Sequence, residues 1–266
     1  MLKRLATRVF HIGIVGIAVA AVIWGAYMST QKSLEPVTEA QIDAWTNNGR
    51  GLSLSEERAV IRSRSSAVQV MSVEVQTASV SASSGTYVAY RDKYYVLTTA
   101  HGILGPCFTT QIVVDDTFYD CQQLVLEDPQ TDYMLILVEE IKERSPVRIP
   151  DHIPHRQEWV VELATMNTIY YTGYPNQGGP YTFDGKIVGY DEADAIFVDS
   201  YGWAGSSGAG VFSSSGNLIG YIMALEVGET HFGRQVLENF VWVVPLFKVD
   251  WTAARALTTE RRDEKN

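Results

Sequence analysis

Three stretches of this 266-residue chain hold side chains that perform acyl transfer when they meet. Tyr95-Val-Leu-Thr-Thr-Ala-His101-Gly102 is a β-rich run ending in small residues and a histidine. Asp132-Tyr-Met-Leu-Ile-Leu-Val138 opens an apolar run with an acid. Gly205-Ser206-Ser207-Gly208-Ala209-Gly210-Val211 sets serine in a glycine-rich turn before a strand. A serine hydroxyl is a poor nucleophile until a neighbouring imidazole takes its proton. The imidazole needs a carboxylate to fix its tautomer and stabilise its cation. The tetrahedral intermediate needs N–H donors aimed at its oxyanion. Gly205 permits a tight turn in which two amides converge, and Gly208 keeps bulk away from the nucleophile. Each stretch alone is ordinary: a strand-end histidine, a turn aspartate, a polar loop. Jointly they put His, Asp and Ser at element boundaries of a β-rich body.

The elements that must position these residues are short runs rich in Val, Ile, Tyr and Thr, bounded by Gly, Pro, Asp or Ser. They are Ala67–Val75, Gly85–Tyr90, Tyr94–Thr99, Gln111–Val114, Cys121–Glu127 and Met134–Val138, then Glu158–Ala164, Tyr181–Tyr190, Ala195–Asp199, Gly210–Ser213, Leu218–Leu225 and Phe240–Pro245. About twelve such strands predict an all-β barrel or sandwich pair. No long amphipathic helix alternates with them, which argues against a doubly wound sheet. Val249–Leu257 reads as a closing helix.

The chain resembles the trypsin/chymotrypsin-like serine proteases, and among them the HtrA/Deg type. The order His, Asp, Ser is that family's order. Thr98-Thr99-Ala100-His101 is similar to its T-A-A-H block, Asp132-Tyr-Met-Leu-Ile-Leu-Val to its D-x-A-x-L-x-V strand, and Gly205-Ser-Ser207-Gly-Ala-Gly-Val to its G-N-S-G-G-P block. Leu218–Ala224 resembles the strand that flanks the S1 pocket and pairs with substrate, and Gly173-Tyr174-Pro175 the G-x-P turn. The resemblance covers about residues 66–247 and implies a double six-stranded β-barrel. It implies that His101 is the general base and acid, that Asp132 orients it and that Ser207 attacks, with the amides of Gly205 and Ser207 as oxyanion hole. Ser206 is the rival nucleophile; the block alignment selects Ser207. Asp128 is a weaker rival to Asp132. Ala209 and Gly210 depart from the family's G-P. The chain ends soon after the second barrel, leaving no room for a PDZ domain.

Tyr201 stands six before Ser207, where trypsin-like enzymes carry the pocket-base residue. It is not an acid, so Arg/Lys preference is unsupported. Tyr201, Tyr221, Ile222, Met223 and Ala224 are the expected substrate contacts, with a small or medium apolar P1 residue. No cofactor and no metal site are implied. His152 and His155 read as loop residues.

Val9–Met28 is apolar save for His11 and long enough, as a helix, to cross a bilayer. Lys3, Arg4 and Arg8 precede it, which predicts a cytoplasmic N-terminus and an extracytoplasmic body. A cleaved signal followed by secretion is the alternative. The division expected is a head and anchor at 1–30, a stalk at 31–64, a protease domain at 65–250 and a C-terminal helix and tail at 251–266. Within the stalk, Ser53 with Glu56 and Glu57 marks a helix start. The net charge is −10, and residues 11–258 hold 15 bases against 28 acids. That argues against nucleic acid as a partner. A translocated body allows Cys107 and Cys121 to pair, with two unpaired thiols as the equal alternative in a cytosol.

The expectation is therefore a membrane-anchored serine endopeptidase acting on polypeptides. The alternatives are a non-catalytic relative serving as a binding or scaffold module, and a viral or phage processing protease. Oligomeric state is not legible.

Overall fold

The computed structural model describes residues 52–230 and 233–263. Strands β1 (Ala67–Glu74), β2 (Ser79–Tyr90), β3 (Lys93–Thr99), β4 (Thr110–Val114), β5 (Thr117–Asp120), β6 (Gln123–Asp128), β7 (Tyr133–Val138) and β8 (Val147–Arg148) form one sheet. Its order is β5-β4-β1-β2-β3-β7-β6, with β8 parallel to β2. Strands β9 (Thr168–Gly173), β10 (Tyr181–Tyr190), β11 (Ile196–Ser200), β12 (Gly210–Ser213), β13 (Leu218–Thr230) and β14 (Gly233–Pro245) follow. They close a barrel in the order β10-β11-β14-β13-β12-β9. The chain thus forms the expected pair of β-barrels, one closed and one curled but open.

Each barrel buries its own inward residues. Val68, Val70, Tyr87, Val96, Ile112 and Ile136 pack in the first. Ile169, Ile187, Val198, Val211, Ile219 and Val243 pack in the second. A third cluster joins the two: Tyr95, Leu97 and Leu135 meet Tyr170, Phe212, Tyr221 and Val244. Burying such side chains contributes about 1.5–3 kcal/mol each, which makes this joint a substantial part of the fold.

Helix α1 (Leu54–Ser66) begins as the sequence marks it. The Ser53 hydroxyl accepts from Glu56 N at 3.4 Å, and Glu56 Oε2 accepts from Ser53 N at 2.8 Å. This reciprocal cap satisfies two free amide donors. The helix lies within the segment read as stalk, yet it is docked on the closed barrel. Ser63 donates to Thr172 Oγ1 at 2.7 Å, Arg62 to Gly216 O at 2.7 Å and Arg64 to Thr182 Oγ1 at 2.8 Å. Helix α2 (Trp251–Asp263) starts at Asp250, whose carboxylate accepts from Ala253 N at 2.9 Å. It docks on the open barrel, where Trp251 lies edge-on to Tyr95 and Thr258 shares a 3.1 Å hydrogen bond with the Tyr95 hydroxyl.

Glu158–Ala164 is not a strand but a series of turns. Trp159 N donates to His155 O and Leu163 N to Trp159 O, helix-type bonds four residues apart. Trp159 and Leu163 turn inward at that spacing, while Val160 and Val161 stay exposed. Strands β5, β8 and β9 were not among the expected runs. In β9 Ile169–Gly173 are all buried, so no alternation marks them. The expected membrane segment 9–28 lies outside the described residues. Among the described residues, no helix is long and apolar enough to cross a membrane.

Candidate active site

β3 and β7 are antiparallel neighbours, with Thr99 opposite Tyr133. That register brings the end of β3 beside the start of β7. The chain leaves β3 through a 3-10 turn, Ala100–Gly102, and Ala100 N donates to Asp132 O at 2.8 Å. His101 and Asp132 then meet without any long connection. Asp132 Oδ1 accepts from His101 N at 2.9 Å, and Oδ2 lies 2.5 Å from His101 Nδ1. An ionised carboxylate only accepts, so a neutral imidazole in this pair carries its proton on Nδ1 and presents a lone pair on Nε2. Asp132 sits at φ +55°, a left-handed conformation that aspartate tolerates better than most residues. Its side chain is largely buried while the imidazole is half-exposed.

Asp128 has another role. It accepts from Thr131 Oγ1 at 2.6 Å and from Gln130 N at 3.0 Å. The Thr131 hydroxyl first, then the Gln130 amide, hold its carboxyl below the usual carboxylate range. Asp128 therefore ties the turn that delivers Asp132.

Ser207 has no strand of its own. It lies in the turn between β11 and β12, with Gly205 at φ +97° and Gly208 at φ +88°. Both values suit glycine and strain any other residue. A Cβ on Gly208 would meet Ser84 O at 2.1 Å and Thr98 Oγ1 at 2.6 Å. A Cβ on Gly205 would meet Tyr174 O at 2.7 Å, so the Gly173-Tyr174-Pro175 segment backs the turn. Ser206 is buried, and its hydroxyl accepts from Trp203 N at 3.3 Å; Ser207 is only partly buried. Among the described residues, the amides of Gly205 and Ser207 find no protein acceptor.

Ser84, in β2, joins this turn to the histidine side. Its N–H donates to Ser207 O at 2.9 Å and its hydroxyl to Gly205 O at 2.6 Å. The hydroxyl accepts from Tyr174 N at 2.8 Å, and its carbonyl accepts from Thr98 Oγ1 at 2.7 Å. Thr98 is three residues before His101. Next to Ser84, Ser83 packs against Gly102, where an added Cβ would come within 2.7 Å of its hydroxyl. Consecutive residues of β2 thus touch both halves of the site. Sequence reasoning missed Ser84, and no local signal marks it. In this conformation no hydrogen bond joins Ser207 Oγ to His101 Nε2. Such bonds are often long in unliganded sites and tighten on substrate.

Of the expected substrate contacts, Tyr201 is half-exposed. Its ring stacks on Trp203 at 6.5 Å and lies 5.8 Å from Phe183, and its carbonyl accepts from the Tyr171 hydroxyl. Met223 and Ala224 are partly buried. Tyr221 and Ile222 are interior, at 0% and 1% exposure. The Tyr221 hydroxyl crosses the barrel joint to donate to Thr131 O at 2.6 Å, in the Asp132 turn. Burial pushes that phenol far above its ordinary pKa. Both backbone groups of Ile222 are taken, its N–H by Ala209 O and its carbonyl by Gly208 N at 2.7 Å. Cys107 and Cys121 form a disulfide with Cα atoms 5.3 Å apart, joining the stretch after His101 to the β5–β6 connection. His152 pairs with Glu158 at 3.0 Å and His155 packs on Phe247, both as loop residues.

Two barrels, an imidazole–carboxylate pair from one and a serine between two left-handed glycines from the other define a chymotrypsin-like serine peptidase fold. The chain belongs to the trypsin-like peptidase domain family, whose model matches residues 83–220, just over half of its length. Solved structures that it resembles include a serine endoprotease from Yersinia pestis, at 20% identity and TM-score 0.57, with 76% of this chain and 68% of that one covered. The Rv3671c protease from M. tuberculosis, in its active form, is 19% identical at TM-score 0.54, covering 77% and 83%. The HtrA-type protease AlgW with tripeptide is 19% identical at TM-score 0.53, covering 73% and 60%. At these identities the likeness concerns the fold. No curated protein matches the chain in sequence.

Proposed function

We propose that the chain is a serine endopeptidase whose triad is His101, Asp132 and Ser207. The observation that carries this reading is the closed His101–Asp132 pair, 2.5 Å across, at the ends of β3 and β7, with Ser207 held by Ser84 of the neighbouring strand β2. In the cycle, Ser207 Oγ attacks the scissile carbonyl and passes its proton to His101 Nε2. Asp132 stabilises the imidazolium. The free amides of Gly205 and Ser207 receive the oxyanion, each such donor being worth roughly 10²–10³ in rate. His101 then protonates the leaving amine. Water hydrolyses the acyl-enzyme by the reverse sequence, with the same histidine as base. The half-exposed Tyr201 in place of an acid favours a small or medium apolar P1 residue.

In the same reading, residues 9–28 anchor the chain in a membrane, with the N-terminus cytoplasmic and the protease body outside. The disulfide supports that side of the membrane, because such bonds persist in oxidising compartments.

A fluorophosphonate probe is expected to label the wild type and not Ser207→Ala. Equal labelling of the mutant sinks the nucleophile assignment. A folded wild type that neither labels nor cleaves casein makes the chain a non-catalytic binding module. That second reading draws on the open Ser207–His101 arm. Extraction of membranes with alkaline carbonate tests the anchor, which must keep the protein in the pellet.

A further inference from the structure

Asp132 keeps its left-handed backbone, φ +55°, in the short turn between β6 and β7. A non-glycine residue holds such a torsion only where its surroundings over-determine it. φ and ψ are rotations of the two peptide planes that flank a residue, so whatever pins both planes pins the residue between them. The plane after Asp132 is pinned within the open barrel, where Ala100 N donates to Asp132 O at 2.8 Å. The plane before it is pinned from the closed barrel, where the Tyr221 hydroxyl donates to Thr131 O at 2.6 Å. Asp128 binds the Thr131 hydroxyl and the Gln130 amide but, as an acceptor, gives nothing to that carbonyl. Tyr221 is itself firmly seated. It is fully buried, lies opposite Gly210 on β12 and Val244 on β14, and belongs to the cluster that joins the barrels. The next residue, Ile222, donates its N–H to Ala209 O at 2.9 Å and accepts from Gly208 N at 2.7 Å, in the turn that carries Ser207. Two consecutive residues of β13 therefore grip the acid's turn through a side chain and the nucleophile's turn through the backbone.

We infer that Tyr221 is a positioning residue for the triad: by holding Thr131 O, its hydroxyl sets the torsion at which Asp132 presents its carboxylate to His101. This rests on the endopeptidase reading and deepens it. Tyr221 is interior, so it acts through Asp132 rather than on substrate. The β3–β7 register brings acid and imidazole together, and the phenol fixes how the carboxylate meets the ring. Without the hydroxyl, the pair stays neighbours but the peptide before Asp132 is free to rotate. Such a rotation swings the carboxylate about Cα and strains its 2.5 Å contact with His101 Nδ1. The imidazole then loses its aim at Ser207, the arm of the triad that is still open in this conformation. Proton transfer needs that aim, whereas substrate binding does not, so the loss belongs to kcat. Because Ile222 follows directly on β13, the setting of the acid is also referred to the turn that holds the nucleophile.

The test compares the full-length wild type with Tyr221→Phe and Tyr95→Phe on one chromogenic peptide. Tyr95 is the matched control: it is fully buried in the same cluster, and its hydroxyl shares a 3.1 Å hydrogen bond with Thr258, on the α2 side. Each variant keeps its ring and loses one buried hydroxyl, so both should unfold at lower denaturant than the wild type. Tyr221→Phe should lower kcat about tenfold with KM unchanged, and should move the downfield resonance of the His101–Asp132 proton. Tyr95→Phe should leave kcat and that resonance where they are. If Tyr221→Phe does not fold, a ring-fluorinated tyrosine at 221 takes its place. It keeps ring and hydroxyl but donates more strongly, so the resonance should move, and should stay put with the same residue at 95. Equal kcat in Tyr221→Phe and Tyr95→Phe, a loss confined to KM, or an unmoved resonance overturns the positioning role and leaves the triad standing. A wild type that neither cleaves the peptide nor labels with fluorophosphonate defeats the endopeptidase reading, and the positioning role with it.

Discussion

The two halves of the site are built in different ways. His101 and Asp132 sit at adjacent ends of two paired strands, so one β3–β7 register brings them together. Their geometry is a local consequence of one sheet. Ser207 belongs to a turn, and what fixes it comes from afar: Ser84 is more than 120 positions earlier in sequence. Its geometry exists only when the barrels are docked. The acid–base pair should therefore be sturdy and the nucleophile turn vulnerable to whatever loosens the joint.

The largest expected effect is on the vulnerable side. Ser207→Ala should lower kcat by roughly 10⁶, read as hydrolysis of a chromogenic peptide. Asp132→Asn tests the sturdy side. It keeps a group that accepts from His101 N but reverses the tautomer, and should lower kcat by about 10⁴ with little change in melting temperature. Gly208→Ala forces a Cβ against Ser84 O at φ +88°. It should reduce kcat by about 10²–10³ and unfold at lower denaturant, while the His101–Asp132 proton resonance persists. Ser84→Ala removes a fully buried hydroxyl and leaves the part-buried Gly205 O and the buried Tyr174 N without their partner. About 1–3 kcal/mol of stability should be lost, with kcat down roughly tenfold and KM unchanged. If it shifts the His101 resonances as much as the Ser207 turn, the contrast between the halves is broken. Cys107→Ser with Cys121→Ser should cost about 3 kcal/mol in the chain-entropy view, with kcat at 25 °C nearly unchanged.

The sequence makes the sturdy half legible and the vulnerable half only partly so. His101 and Asp132 stand at the ends of apolar runs, where local pattern and chemistry coincide. The glycines around Ser207 announce a special turn. Ser84 announces nothing, because Ser79–Gly85 reads as a polar stretch and its contacts are all distant. Tyr221 lies on the strand expected to touch substrate, yet its phenol spans the joint to Thr131. Which barrel covers it is a tertiary fact that periodicity does not carry. Glu158–Ala164 misleads for a related reason: two consecutive valines suggest a strand, while Trp159 and Leu163 at helical spacing decide the turn.

The helices carry one further consequence. α1 precedes the open barrel in sequence and lies on the closed one; α2 follows the closed barrel and lies on the open one. Each barrel is roofed by the other's flank, like two boxes wearing exchanged lids. Neither half is a self-sufficient folding unit, so unfolding should be one cooperative event. A fragment trimmed to start at the first strand would lose the closed barrel's lid, and with it some grip on the nucleophile.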